Sequence, residues 1–392
     1  MPAPAGKKRP RKPPGCPLFA HRNGQWAKKI QGRLRYFGRW EDLNAALAEY
    51  YRQKPFLDAG HEAPPPGSDL GLTVKDLANR WLTYQQERVA AEELRPRTWS
   101  EYHMAARFAV EILGPHVPVQ TLKAADFQPL RNHLFEKYGF DGRAKFVKII
   151  RSMFKWGFEN ELLEKPVRFG TYFSLPSQRA KRLERAIRRR QRGDRMFTAA
   201  QIRHQLEAAT DALRAMILLG INGGLGNEDC AQLLIDMIDA KKKTIDYARG
   251  KTGIGRVVPL WPETLAALND VIGNRAEGRV FLTRWGNPFI EERVKKEDGR
   301  IVGFVRKDGI ADAYGKLLRR LKQYRPGMNF YALRHTLRTI GAELRDTEAI
   351  RWIMGHQRSD ADGEYIECLP VLRLRKVTDY VHDWLFPPKS GK

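Results

Sequence analysis

The chain has 392 residues, which is long for one ordinary domain and predicts two or three, with enough apolar residues for real cores. Seventy Lys and Arg against 45 Asp and Glu leave a formal charge of +25. This charge indicates a polyanionic partner, and a nucleic acid is favoured over a membrane, although a basic chain can also be a ribosomal protein. The three cysteines (Cys16, Cys230 and Cys368) lie far apart, which argues against a zinc site or a disulfide framework, and no run of about 18 apolar residues predicts a membrane helix. We expect a soluble cytoplasmic protein without a metal.

The N-terminal part begins with a Pro-, Lys- and Arg-rich stretch, residues 1–15, which predicts a disordered tail that either lies along phosphates or is a solvated leader. Residues 16–58 alternate apolar and polar positions in short runs broken by "NG" and "QG" and then turn to helical spacing. This pattern predicts a three-stranded meander plus one helix, a small unit whose strands could lie in a DNA groove. Its candidate DNA contacts are Arg22, Lys28, Lys29, Arg33 and Arg35. Residues 59–71, rich in Pro and Gly, predict a linker.

Apolar residues three and four apart predict a bundle of four helices over residues 72–175. We interpret its aromatic residues as core rather than as base-stacking platforms: Trp81, Trp99, Phe108, Phe127, Phe154 and Trp156. Residues 176–195 are densely basic, and a helix of this composition would repel itself unless phosphates neutralised it. We therefore expect an interdomain connector along DNA, with candidate contacts at Arg179, Lys181, Arg182, Arg188, Arg189 and Arg190.

A third unit is expected over residues 196–388. Thr198 is a predicted N-cap, "TIDYARGKTGIGRVVPL" predicts a hairpin, and the polar stretch from Arg284 to Gly309 predicts a surface insertion. The final "VLRLRKVTDYVHDWLF" is amphipathic and either packs on its own domain or docks on a neighbouring copy. The chain as a whole is predicted to be mainly α, with two small β elements.

Four residues of this unit fit metal-free phosphodiester chemistry, which needs a nucleophile, cationic donors for the phosphate oxygens and an acid for the leaving group. Lys251 lies in the predicted hairpin turn, and Arg334 lies in "LRHT" on a helix. His356 and Tyr365 follow in "GHQRSDADGEY". Each residue alone is more often structural, so the prediction rests on their order and spacing.

This order resembles the tyrosine recombinases, in particular the phage integrases, and the resemblance covers nearly the whole chain. It implies a three-domain architecture: an arm-binding domain, a helical core-binding domain and a mixed α/β catalytic domain. It also implies that Tyr365 attacks the scissile phosphate to leave a 3′-phosphotyrosine, that Arg334 is the second arginine of a phosphate clamp and that Lys251 is the general acid. His356 would then hydrogen-bond the phosphate, and no cofactor would be needed.

Two positions depart from the family pattern. Gly226, in "GGLGNED", stands where the family has its first arginine, while Asp229 keeps the acidic position. Tyr331, in "YALR", replaces the family's histidine and can still donate a hydrogen bond, whereas His335 occupies a structural position. The candidate substitutes for the missing arginine are Arg338, Arg256 and Asn227.

The leading hypothesis is a site-specific DNA recombinase that integrates or excises a mobile element as a homotetramer on double-stranded attachment sites. Such a protein would act in a bacterial nucleoid, with a possible DNA-bending or directionality accessory protein. The alternative is an integrase-derived DNA-binding protein with weak or no cleavage, which Gly226 favours. A type IB topoisomerase shares the chemistry, but the N-terminal strand and helix pattern fits arm-site recognition better.

Overall fold

The computed structural model describes residues 9–13, 15–58, 62–63, 65, 71–248, 254–356 and 368–387. The chain forms two compact units, Met1–Arg185 with Val294–Phe304 and Ala186–Arg293 with Val305–Lys392. The predicted fold class is confirmed, because helices predominate and the sheets are small. Within the described ranges, no helix has the length and apolar composition needed to cross a bilayer.

The first unit begins with a three-stranded antiparallel sheet whose strands are adjacent in chain order. Its strands are β1 (Phe19–His21), β2 (Gln25–Ile30) and β3 (Arg33–Arg39), and helix α1 (Leu43–Asp58) follows. Buried Leu18, Trp26, Phe37 and Tyr50 form the core between sheet and helix. The predicted meander and helix are confirmed, whereas most of the predicted tail and linker lies outside the described residues.

The four predicted helices of the bundle are also present. They are α2 (Val74–Ala90), α3 (Pro96–Leu113), α4 (Phe127–Lys137) and α5 (Phe140–Glu159). Thr73 begins α2 with a capping box, in which its hydroxyl accepts from the Asp76 amide. Five of the six aromatic residues predicted as core are buried, and the sixth, Trp156, is half-buried and stacks on Tyr84.

The basic connector is a helix, α6 (Gln178–Arg192), in which no residue is buried. Ser177 accepts a hydrogen bond from the Ala180 amide near its beginning, and Gly193, with φ +72°, follows its end. Arg189 pairs with Asp194 just beyond the helix. This helix is therefore held by polar contacts, among them that of Arg185 with Asp141, rather than by a buried face.

The second unit is mixed. Its first helices are α7 (Ala199–Ala208), α8 (Asp211–Asn222) and α9 (Asn227–Gln232), and a three-stranded antiparallel sheet follows with β4 (Ile238–Asp239), β5 (Thr244–Ala248) and β6 (Gly255–Pro259). The later helices are α10 (Pro262–Ile272), α11 (Gly309–Arg320), α12 (Tyr331–Gly341), α13 (Thr347–Met354) and α14 (Val371–Leu385). Thr198 caps α7 as predicted, and β5 pairs with β6 as the predicted hairpin.

The expectation of only two small β elements is wrong, because the described residues include a third sheet. Strands β7 (Ile290–Glu297) and β8 (Arg300–Asp308) pair within the segment that was predicted as a polar insertion. Asp298 and Gly299 join them with φ values of +47° and +76°, which is the conformation of a type I′ hairpin turn. The "DG" dipeptide is thus the feature of the sequence that indicates this hairpin.

The amphipathic C-terminal helix α14 packs within its own unit. Leu374, Val377, Val381 and Leu385 are buried on one face at helical spacing. The indole Nε1 of Trp261 donates to the carbonyl of Thr378 at 2.9 Å, inside the same core. Of the two alternatives for this segment, the structure therefore shows the packing on its own domain.

Candidate functional site

A glycine loop between α8 and α9 brings backbone carbonyls to the candidate site. Gly224 has φ +64°, and a Cβ added there would lie 2.9 Å from Leu337 Cδ2 and 3.4 Å from Arg334 Cγ. A larger residue would be strained by its backbone conformation and would clash with α12. Glycine at this position therefore lets the loop approach Arg334 closely.

Arg334 is the central residue of the arrangement. It is only 1% exposed, and its Nη1 donates to the carbonyl of Gly224 at 2.5 Å while its Nη2 donates to the carbonyl of Met354 at 2.6 Å. Both bonds are made by a charged donor, which makes them stronger than bonds between neutral groups. The guanidinium is thus fixed in place between the α8–α9 loop and the end of α13.

His356 reaches Arg334 because of the way α13 ends. Gly355 has φ +57°, and its amide donates to the carbonyl of Trp352. The amide of His356 donates to the carbonyl of Arg351 at 3.0 Å. This is the Schellman pattern, in which a left-handed glycine ends a helix and fixes the next residue. His356 Nε2 lies 2.8 Å from Arg334 Nη2 and, since a guanidinium only donates, its lone pair faces the arginine.

The position without the family arginine is occupied by backbone and by a buried ion pair. The amide of Gly226 donates to Asp229 Oδ2 at 2.9 Å, and Arg256 Nη1 lies 3.6 Å from the same oxygen. Arg256 is 1% exposed, its Cζ lies 5.0 Å from the Tyr247 ring centroid, and its three guanidinium nitrogens have no hydrogen-bond acceptor within the described chain. Asp229 thus connects the loop amide with the buried guanidinium of Arg256.

The other two candidate substitutes differ in their surroundings. Asn227 Nδ2 lies 3.1 and 3.2 Å from the two carboxylate oxygens of Asp308, so its amide already donates there. Arg338 lies one turn after Arg334 on α12 and is half-buried. Arg306 is a further cation near this position that the sequence did not single out. Its Nη1 lies 2.7 Å from Glu228 Oε2, at the beginning of α9, and 2.5 Å from Glu292 Oε1.

Tyr331 and His335 share one edge of α12. Tyr331 is 41% exposed, and its ring meets that of His335 edge-on with centroids 5.3 Å apart. Desolvation lowers the pKa of His335, and the charges of Arg195 and Arg334 lower it further. A neutral His335 therefore adds no positive charge beside Arg334 at neutral pH.

The candidate nucleophile and general acid lie outside the described residues. Lys251 belongs to residues 249–253, between the paired strands β5 and β6, and Tyr365 belongs to residues 357–367, which follow His356 directly. Of the four candidate catalytic residues, the structure therefore brings together Arg334 and His356, while the roles of Lys251 and Tyr365 remain predictions.

The candidate DNA contacts of the N-terminal sheet have two kinds of environment. Arg22, Lys29 and Arg33 are exposed. Lys28 Nζ donates to the hydroxyl of Tyr50 at 2.7 Å, and its cross-strand partner Arg35 lies 3.7 Å from Glu62, so both are engaged by protein groups. The candidate contacts on α6 are exposed or half-buried throughout: Arg179, Lys181, Arg182, Arg188, Arg189 and Arg190.

Helix α5 carries a basic stripe that the sequence reading did not single out. Its exposed face presents Lys145, Lys148, Arg151 and Lys155, while its other face is buried in the bundle. The spacing of three, three and four residues places these four cations in one row. In the sequence "RAKFVKIIRSMFK" these cations alternate with the apolar positions that predict the buried face of the helix.

Comparisons with known proteins found similarities in sequence and in fold. Residues 195–368 match the family model described as "Phage integrase family". The fold is similar to a phage lambda integrase dimer bound to a COC′ core site (14% identity, 92% of this chain and 96% of that chain covered, TM-score 0.55). It is also similar to the Tn1549 transposon integrase in complex with transposon right end DNA (13% identity, 78% and 98% covered, TM-score 0.54) and to a lambda integrase tetramer bound to a Holliday junction (14% identity, 92% and 99% covered, TM-score 0.53). No curated protein sequence matches the chain.

Proposed function

We propose that the protein, whose residues 195–368 match the phage integrase family model, is a site-specific DNA recombinase that cleaves and rejoins DNA through a 3′-phosphotyrosine. The observation that supports the proposal most is the fixed pair of Arg334 Nη2 and His356 Nε2, 2.8 Å apart, in which His356 directly precedes the segment that contains Tyr365. Two backbone carbonyls hold the guanidinium, so its orientation is set by the fold. Its biological role would be integration or excision of a mobile element, in a bacterial nucleoid.

In the proposed reaction, the phenolic oxygen of Tyr365 forms a bond to the scissile phosphorus, and the bond from phosphorus to the deoxyribose 5′ oxygen breaks. Lys251 gives a proton to that leaving oxygen, the phenol loses its own proton to water, and water then returns a proton to Lys251, so that protons balance. Arg334 donates to the non-bridging oxygens as their charge increases, and His356 joins it once its ring presents an N–H to the phosphate. Rejoining is the reverse attack by a 5′ hydroxyl, so no external energy source is needed.

Two exchanged strands require several copies of the chain. The similar lambda integrase structure is a tetramer bound to a Holliday junction. We therefore propose that this chain also acts as a homotetramer on double-stranded attachment sites, with an accessory protein that bends DNA or sets the direction.

The experiment that tests the function uses a duplex attachment site with a nick just beyond the cleavage point, so that the cleaved end diffuses away. A recombinase accumulates a covalent protein–DNA adduct on this substrate. The second candidate function, an integrase-derived DNA-binding protein, is favoured by Gly226 and predicts tight binding without an adduct. Arg334→Ala serves as the control, because it should bind the duplex but lose the adduct.

The basic stripe of α5 leads to a prediction about DNA affinity. Replacing Lys148 and Arg151 together with alanine should weaken binding to duplex DNA of any sequence and should reduce the slope of log K against log salt by about 0.9 for each lost phosphate contact. The measurement is a salt titration of DNA binding by fluorescence anisotropy.

The matched control is Lys75→Ala, which removes an exposed lysine at the beginning of another helix of the bundle. This variant should show the same slope of log K against log salt as the unmodified protein. A double variant on α5 with an unchanged slope would mean that this helix face does not meet DNA.

A further inference from the structure

Helix α6 carries an apolar stripe that is exposed in the described part of the chain. Leu183 is 61% exposed and Ile187 is 44% exposed, and they lie four residues apart on one side of the helix, with Ala180 in the preceding turn. The helix contains eight Lys or Arg and one Glu among its 15 residues. Two large apolar side chains are thus exposed at regular spacing on a helix that is otherwise charged.

DNA accounts for the charges of α6 but not for the stripe. Phosphates would neutralise its arginines, whereas Leu183 and Ile187 gain nothing from a phosphate surface. A pair of α6 helices from two copies would cover both stripes, but it would bring eight cations against eight. The partner that fits this helix is therefore apolar at its centre and acidic at its edge.

The second unit has a cavity with these properties. Its volume is about 410 Å³, and Leu206, Leu218 and Phe386 line its apolar part. Four carboxylates lie around it, Glu207, Glu263 and Asp270 among them, against one guanidinium, Arg214, which is itself held by the carbonyl of Leu206 and by Asp211. Such an excess of acid is unusual in a chain of net charge +25.

We propose that the apolar stripe of α6 in one copy docks into the acid-rimmed cavity between α7, α8 and α10 of a second copy. Leu183 and Ile187 would enter the cavity, and Arg179 and Arg190, which lie on the same side one turn before and after them, would meet the carboxylates. Lys181 and Arg188 lie on the opposite side of the helix and are half-buried. Because the two surfaces differ, the contact is head-to-tail and can close into a ring.

Cysteine cross-linking between differently tagged copies tests the contact. One copy carries Leu183→Cys and the other Ala266→Cys, both in a Cys368→Ser background, since Cys16 and Cys230 are buried. Mild oxidation should link the two copies at a yield at least tenfold above that of a matched pair with Lys181→Cys, which faces away from the stripe. Equal yields for the two pairs, or no link at all, would overturn the proposal.

Two further results are decisive. If both cysteines on one dilute copy link within that copy, the helix fills its own cavity and the contact between copies is rejected. If the link appears only after residues 388–392 are removed, the end of the chain occupies the cavity instead, which also rejects it.

Charge exchange gives an independent readout. Arg179→Glu with Arg190→Glu, or Glu207→Lys with Asp270→Lys, should each weaken self-association in analytical ultracentrifugation, and the two sets combined should restore it. No restoration would contradict the pairing. The contact does not require strand cleavage, so its failure would leave the adduct test of the proposed function unaffected, and the converse also holds.

Discussion

A Gly226→Arg variant is expected to form the covalent DNA adduct about 10²- to 10³-fold faster than the unmodified protein, because one preorganised donor to a developing oxyanion is worth about that much. The site has room for the change. A Cβ at position 226 would lie 3.6 Å from Asp229 Oδ2 and 3.8 Å from Tyr331 Cδ2, which are ordinary contacts, and the φ of −90° is open to any residue. The new guanidinium would also have Asp229 beside it to orient it.

The size of this gain depends on whether another cation already fills the gap. Arg256 is buried against Asp229 and Tyr247, and the amide of Asn227 is committed to Asp308. Both would have to leave their present partners to reach a phosphate. We therefore expect the clamp of the unmodified protein to be one donor short.

Single-turnover adduct formation on the nicked duplex measures the effect. Gly226→Gln is the matched control, because it adds a side chain of similar reach without a charge, and it should give no comparable gain. If Gly226→Arg reacts at the unmodified rate, a substitute is already present, and replacement of Arg256 and Arg338 would then identify it.

Arg334→Lys is expected to lower the rate of adduct formation by about 10²- to 10³-fold. A lysine keeps the positive charge but cannot donate at once to the carbonyls of Gly224 and Met354 and to a phosphate, because it lacks the planar fork. Each bond lost by a buried charged donor also costs about 1.5 to 3 kcal/mol of unfolding free energy. The variant should therefore be both slower and less stable.

Denaturant unfolding and adduct formation together separate the two effects. Arg338→Lys, on the same helix one turn further, is the matched control and should change both quantities little. An Arg334→Lys protein with full activity would show that this arginine only stabilises the fold and does not bind the phosphate.

The candidate residues of the site could be chosen from the sequence, but the geometry of Arg334 and His356 could not be predicted from it. Arg334 and His356 are identified by their motifs, and the glycine before His356 is explained by the left-handed end of α13. The bonds that hold Arg334 are made to backbone carbonyls 110 and 20 residues away in the chain. Carbonyls leave no signal in a sequence, so no spacing rule could have found these partners.

Other misses have physical reasons of their own. Strands β7 and β8 were not predicted because their exposed positions are densely charged, which hides the alternation of apolar residues. The turn at Asp298 and Gly299 is the feature of the sequence that indicates the hairpin. The Arg256–Asp229 pair joins two elements that meet only in three dimensions. Periodicity, in contrast, predicted the bundle helices well because their apolar faces are regular.

The most direct test of the whole account is to locate the DNA linkage in the trapped adduct. The adduct is digested with protease and nuclease, and mass spectrometry then identifies the residue that carries the nucleotide, with Tyr365→Phe as the control. We expect a 3′-phosphate ester on Tyr365 and no adduct from the phenylalanine variant. A linkage to any other residue, or an undiminished adduct from Tyr365→Phe, would contradict it.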